Sequence, residues 1–253
     1  MVGIIPAHLA SIRFPRKVLH PFSGLAMIEH VRRRALMCPS LADVYVATCD
    51  DEVASIVSAG GGTVIRTGNH HLNGTSRIAE AVQNVDASHV VLLQGDEPLL
   101  LPRHVEALTA SMLRHPNAQA WNATGDIHAP EELDRHSFVK CAVGTDDRIL
   151  YCFRRSPSTA PYEKQITYIR KILGLFAFTR NSLLSVAAAP TSVVEFNESI
   201  EQMRIIESGG TLVSVPVDVA LPSVNEPHEA MIVEDAIRHN AEQQDLLRRV
   251  LEG

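Results

Sequence analysis

Four short runs rich in β-branched residues, Val2 to Ile5, Val44 to Thr48, Thr63 to Ile65 and Val90 to Leu93, alternate with stretches whose apolar residues recur at helical spacing. Runs this apolar read as strands buried on both faces. Between the first two, Met27, Ile28, Val31, Ala35 and Leu36 share one helical face, while Glu29, Arg32, Arg33 and Arg34 largely occupy the other. That segment reads as a crossover helix. Asp51 and Glu52 favour the start of a second helix through Ala54 to Val57, and Gly60-Gly61-Gly62 ends it before the third strand. Strand-helix-strand repetition of this kind implies a mainly parallel sheet flanked by helices, an α/β fold.

The second half is less regular. Val139 to Val143, Ile149 to Phe153, Ile172 to Phe178 and Leu212 to Val217 read as strands that extend the sheet and add a smaller lobe. Pro227 to Leu251 reads as a terminal helix packed on the sheet. The 253 residues suit a single domain.

Composition narrows the function classes. With 45% hydrophobic and 21% charged residues and no long apolar run, the chain should be soluble and span no membrane. The N-terminus enters a strand at once, without the basic start and apolar stretch of a secretory signal, so a cytoplasmic location is expected. A net charge of -6 gives no footprint for nucleic acid. Cys38, Cys49, Cys141 and Cys152 are widely spaced and are expected to be reduced thiols packed as small hydrophobes. Trp121 and the phenylalanines are expected in the core.

Ligands of open α/β sheets bind beyond the carboxyl ends of the strands, which singles out the segments after the first and fourth. The first carries Arg13, Arg16 and Lys17 close together. Such a loop either holds a triphosphate or is a solvated basic surface. There is no GxxxxGK[ST] loop and no GxGxxG after the first strand, so NTPase and dinucleotide-dehydrogenase readings lose support. The fourth strand ends in Gln94-Gly95-Asp96-Glu97-Pro98, where the carboxylates suit Mg²⁺ or simply cap a turn. His70-His71 invites a zinc reading. Neighbours on an extended chain point to opposite faces, however, and no further ligand stands at a standard spacing, so no zinc site is expected there.

Taken together, these segments resemble the CMP-Kdo synthetase family, the cytidylyltransferases that activate 3-deoxy-manno-octulosonate (Kdo). The family's opening pattern, IIPAR-x-x-S-T-R-x-P-x-K-x-L, is met by Ile4, Ile5, Pro6, Ala7, Ser11, Arg13, Pro15, Lys17 and Leu19, and its QGDEP motif is intact. Val46-Ala47-Thr48 matches its V-A-T strand end, and His71, Gly74, Thr75, Arg77 and Ala79-Glu80 match H-x-S-G-T-x-R-x-A-E. Agreement continues through Val139-Lys140, Leu150-Tyr151 with Arg154, Leu173-Gly174, Glu201-Gln202 with Arg204, and Val224 with Pro227.

The resemblance implies a nucleotide-diphospho-sugar transferase (GT-A-like) fold. About 1–115 would form the CTP-binding half and about 116–253 the half for acceptor binding and dimerisation. It implies transfer of CMP from CTP to a small acidic acceptor with release of pyrophosphate, by a homodimer. Pro6, Ala7, His8, Ser11, Arg13, Arg16, Lys17, Thr48, Gly74, Thr75, Arg77 and Gln94 would hold CTP, with Arg13, Lys17 and Asp96 carrying the chemistry. Asp96 and Asn225 would hold Mg²⁺, and Gln94, Arg154, Ile172, Phe176, Glu201 and Gln202 would face the acceptor.

Departures from the pattern sharpen these expectations. His8 stands where the family has Arg, which weakens a phosphate contact, while Arg16 in place of Gly adds a cation that could offset it. Asn225 replaces an aspartate and brings one charge fewer to a metal, Cys49 replaces an acidic residue and Ile12 a threonine. Ile172 and Phe176 replace a His and a Tyr that meet the sugar. Besides a Kdo-like acid, a small phosphonate of the phosphonoformate type would fit a less polar pocket, and a catalytically weakened nucleotide-binding homologue would fit His8 and Asn225.

Overall fold

The computed structural model describes residues 1–252. The chain forms two compact units, Met1–Glu106 with the stretch from Leu221 onward, and Ala107–Ala220. It leaves the first within the helix Pro102–Arg114.

The first unit is built on β1 (Val2–Ala7), followed by a small hairpin of β2 (Pro21–Phe22) and β3 (Leu25–Ala26), then β4 (Val44–Thr48), β5 (Thr63–Arg66) and β6 (His89–Leu93). Its main sheet is parallel throughout, in the order β6-β1-β4-β5. Helices Met27–Leu36, Asp51–Ala59 and Gly74–Ala81 connect the strands as the alternation requires. The expected terminal helix is two, Pro227–His239 and Ala241–Glu252, parted at Asn240, whose backbone is extended. A capping box of Glu226 and Glu229 starts the first of them, where Pro227 needs no donor. The hydrophobic core here joins Phe22 and Met27 to Leu99, Val224, Ala230, Val233 and Ile237.

The polar face of Met27–Leu36 is not the solvated face that amphipathic patterning suggests. Glu29, Arg32 and Arg34 are buried. Glu29 accepts from Arg32 at 2.7 Å and Arg33 at 3.0 Å, and those arginines also reach the Gly60 and Val250 carbonyls. Arg34 donates to Gln243 at 2.6 Å, and Gln243 donates to the Leu99 carbonyl. The last helix therefore covers charge as well as buried Leu246 and Val250; Glu29 pairs with Arg32 and Arg33, while burial pushes Arg34 down to about 10.

The second unit holds β7 (Ala120–Gly125), β8 (Lys140–Val143), β9 (Ile149–Phe153), β10 (Ile169–Thr179) and β11 (Leu212–Pro216). β11 runs parallel to β7, and β7-β10, β10-β8 and β8-β9 are antiparallel. Unlike the others, β7 has no apolar run to announce it, because Asn122 and Thr124 are fully buried within it. The thiols are free, and Cys141 and Cys152 lie opposite one another on β8 and β9, both buried, with burial holding each thiol well above its usual range. No helix among the described residues is long and apolar enough to cross a membrane.

Candidate functional site

Because β1 and β6 are parallel neighbours, with Val2 opposite Val90 and Ile4 opposite Leu92, their carboxyl ends release the two singled-out segments side by side. They come very close. A Cβ on Gly95 would stand 3.2 Å from the Pro6 carbonyl oxygen, so a side chain there would push the strand ends apart. The chain after β1 loops out and returns in a 3-10 turn, Lys17–Leu19, which aims Lys17 back over β6. The Lys17 ammonium lies 2.5 Å from Asp96 Oδ2 and 3.2 Å from the Val224 carbonyl. Val224 in turn donates its amide to the Asp96 carbonyl at 2.9 Å, which brings the segment carrying Asn225 to this corner.

The opposite wall is the start of Gly74–Ala81. Asn73 caps it, accepting from the Ser76 amide at 2.8 Å, and the helix start gives this wall a positive field. Arg77, buried, is fixed by Thr67 Oγ1 at 2.7 Å and the Gly68 carbonyl at 3.1 Å. Together these elements line an open pocket of about 120 Å³ at the strand ends. Of the residues singled out in the sequence, Pro6, His8, Lys17, Gly74, Arg77, Gln94 and Asp96 line it.

The electrostatics favour a polyanion beside a carboxylate. His8 is held below its ordinary pKa first by burial and then by the Arg77 charge, with Asp50 pulling the other way. The shift disfavours its protonated form, so His8 gains charge as the pH falls. CTP should consequently bind more tightly at pH 5.5 than at pH 8 by a margin that His8→Ala removes, measured calorimetrically; comparing the two proteins cancels the nucleotide's own titration. An equal pH dependence in both would take His8 out of phosphate contact. Glu97, one residue beyond Asp96, is pushed up to about 8 by burial and by the Asp96 charge, so it is mainly protonated at neutral pH.

Other residues of the expected nucleotide set brace the loop rather than line the pocket. Arg16, in left-handed backbone at φ 63°, pairs with Glu52 instead of standing in the pocket beside His8. Ser11 accepts from the Phe14 amide, and buried Thr48 accepts from the Asp50 amide. Ala7 and Thr75 are buried. Arg13 reaches Asn225 Oδ1 at 3.3 Å and Glu226 at 3.9 Å from an exposed position. Asp50, not singled out beforehand, is the anchor of this loop: its Oδ2 accepts the Leu9 amide at 2.9 Å.

In the second unit, Arg154 donates from Nε, Nη1 and Nη2 to the carbonyls of Glu198, His136 and Ser199, so its guanidinium splices three backbone segments. Gln202 Nε2 donates to Asn122 Oδ1, and Asn122 donates to the Leu173 carbonyl. Phe176 is buried with its ring 4.2 Å from that of Phe178, and Ile172 lies across a register shift from it on β10. Glu201 sits at the N-cap of Gln202–Glu207.

Leu72 and Asn73, not singled out beforehand, also line the pocket, next to His71. Their signal was readable in Asn73-Gly74-Thr75-Ser76, an N-cap pattern that marks a helix start beyond a strand end.

Comparison with known proteins places this geometry in context. The family model described as Cytidylyltransferase matches residues 2–215. The 3-deoxy-manno-octulosonate cytidylyltransferase of Escherichia coli is 37% identical over 226 residues, 89% of this chain and 91% of that one. The 8-amino-3,8-dideoxy-manno-octulosonate cytidylyltransferase of Shewanella baltica is 36% identical over 210 residues, 81% and 85% of the two chains. A solved structure of CMP:2-keto-3-deoxy-manno-octonic acid synthetase complexed with CTP superposes with a TM-score of 0.88 at 35% identity, covering 94% of this chain and 98% of that one.

Proposed function

Since the chain belongs to the cytidylyltransferase family, we propose that it transfers CMP from CTP to a 3-deoxy-octulosonate-type sugar acid, and that the pocket containing Lys17 and Asp96 binds the triphosphate. The observation that carries this reading is the Lys17-Asp96 pair facing a helix start and Arg77 across one pocket. An oxygen of the acceptor attacks the α-phosphorus, the bond to the β-phosphate oxygen breaks, pyrophosphate leaves and the acceptor's proton passes to solvent. Such transfers depend on positioning and charge neutralisation more than on covalent help from the protein. Lys17, released from Asp96, neutralises the phosphates, and Arg77 with the amides at Gly74 and Thr75 fixes them against the opposite wall.

Lys17 Nζ meets both the Asp96 carboxylate and the Val224 carbonyl, oxygen donors of the kind that suit Mg²⁺, and Asn225, next in the chain to Val224, turns its amide oxygen to Arg13. Asp96 and Asn225 would hold that ion, which when bound withdraws charge from the α-phosphate. Asn225→Asp should lower the Mg²⁺ concentration for half-maximal rate by about threefold or more, because a second carboxylate adds charge to the ligand set. An unchanged Mg²⁺ curve would place Asn225 outside the metal site.

For the acceptor, the names of the relatives support Kdo or its 8-amino analogue and lend nothing to a phosphonate or to a non-catalytic role. Residues of the second unit, Phe176 and Ile172 among them, are assigned to acceptor recognition. Mass spectrometry of the product from CTP, Mg²⁺ and each acid should show the CMP ester of an octulosonate. A mixed anhydride of CMP with a phosphonate, formed alone, would replace this acceptor. Assembly as a cytoplasmic homodimer belongs to the same reading and is checked by light scattering.

A further inference from the structure

The segment between β5 and the helix Gly74–Ala81 does not follow the extended geometry on which a zinc site was discounted. It is irregular over 67–73, and so the side chains of His70 and His71 do not diverge. Their rings lie 4.3 Å apart, tilted by 36°. The His70 ring folds back over Gly68, so closely that a Cβ there would stand 2.5 Å from it. A third donor comes from the far end of the helix: Glu80 meets His71 Nε2 through Oε2, and both its oxygens accept the Gly68 amide at 3.1 Å. One ligand atom from each of His70, His71 and Glu80 falls within 4.8 Å of the other two.

We propose that His70, His71 and Glu80 form a zinc site, separate from the carboxylate corner at Asp96. Two imidazoles and one carboxylate are a nitrogen-oxygen set that zinc accepts and magnesium does not favour. Tetrahedral zinc with bonds of about 2.0–2.2 Å separates its ligands by roughly 3.3–3.5 Å. Rotation of the exposed His70 side chain closes the remaining distance, while His71 and Glu80 are already together. Three protein ligands leave one position for water. Zinc takes the place of the hydrogen bond between His71 Nε2 and Glu80, and the proton it displaces leaves to solvent.

Occupancy would reach the nucleotide pocket. Zinc ties the loop 67–73 to the helix whose first turn is a pocket wall, and His71 itself lines that pocket. The chain would thus carry two metal sites of different chemistry, oxygen-rich at Asp96 and imidazole-rich at His71.

The test is a zinc titration of the metal-free full-length protein against a chromophoric chelator, with His70→Ala and Glu80→Gln beside the wild type. Circular dichroism confirms that each is folded; His70 is exposed, so its replacement leaves the packing intact. The wild type should bind one equivalent at micromolar zinc or tighter, and His70→Ala should weaken that binding by about tenfold or more. Cobalt in place of zinc should give visible bands of tetrahedral coordination without a thiolate charge-transfer band. Equal zinc affinity in wild type and His70→Ala, no stoichiometric binding by the wild type, or a thiolate band that puts the metal on a cysteine would each overturn the proposal. None of these readouts depends on which acid accepts CMP.

Discussion

Asp96→Asn is expected to lower kcat/KM for CTP by about 10²- to 10³-fold, the scale seen when a single charge-stabilising group is removed from a reacting centre. Asn keeps the shape of the side chain and its carbonyl oxygen but removes the charge that opposes Lys17 at 2.5 Å. Two effects then separate. Affinity for CTP in the absence of divalent metal should persist or rise, because the Lys17 ammonium is no longer held by a carboxylate. Turnover should fall, and excess Mg²⁺ should restore it only in part. Lys17 keeps the Val224 carbonyl, so the variant remains folded and its melting temperature changes modestly. Normal turnover by a folded Asp96→Asn protein would remove Asp96 from the reaction.

Glu29→Ala should be the most destabilising single change in the first unit, by about 3–5 kcal/mol, the range for removing one partner from a buried ion pair. Glu29 is 2% exposed and takes hydrogen bonds from both Arg32 and Arg33. Without it the Arg32 guanidinium remains buried with only the Gly60 carbonyl. Arg33 also ties the helix Met27–Leu36 to the last helix through the Val250 carbonyl. Ile28, on that helix, lies 3.5 Å from where a Gly95 Cβ would stand, so the helix also backs the strand ends that carry the site. Urea unfolding should show a lower midpoint at unchanged slope. A loss below about 1 kcal/mol would place the pair among solvated ones.

What could be read from the sequence was what depends on local pattern. β1, β4, β5 and β6 are apolar runs closed by turn residues, and their parallel pairing follows from the helices between them. The pocket corner was legible as well, since Lys17 and Asp96 follow strands that such a sheet places side by side. The missed features depend on partners distant in sequence. β7 carries Asn122 because its amide has the Leu173 carbonyl and Gln202 to bond, which no local pattern discloses. Arg34 looks like a surface residue until Gln243 of the helix Ala241–Glu252 meets it, and Arg32 until Glu29 and the Gly60 carbonyl hold it. Arg16 reads as a phosphate ligand until Glu52 is seen to hold it. His70 and His71 were judged by the geometry of an extended chain, and the loop they occupy is not extended.

Pyrophosphate release by the full-length protein, with Mg²⁺ and 3-deoxy-manno-octulosonate or its 8-amino analogue and each nucleoside triphosphate in turn, tests the central claim most directly. The account predicts release with CTP, little with ATP, GTP or UTP, and near-complete loss in Asp96→Asn. A folded protein that binds CTP yet releases no pyrophosphate with either acid would contradict it.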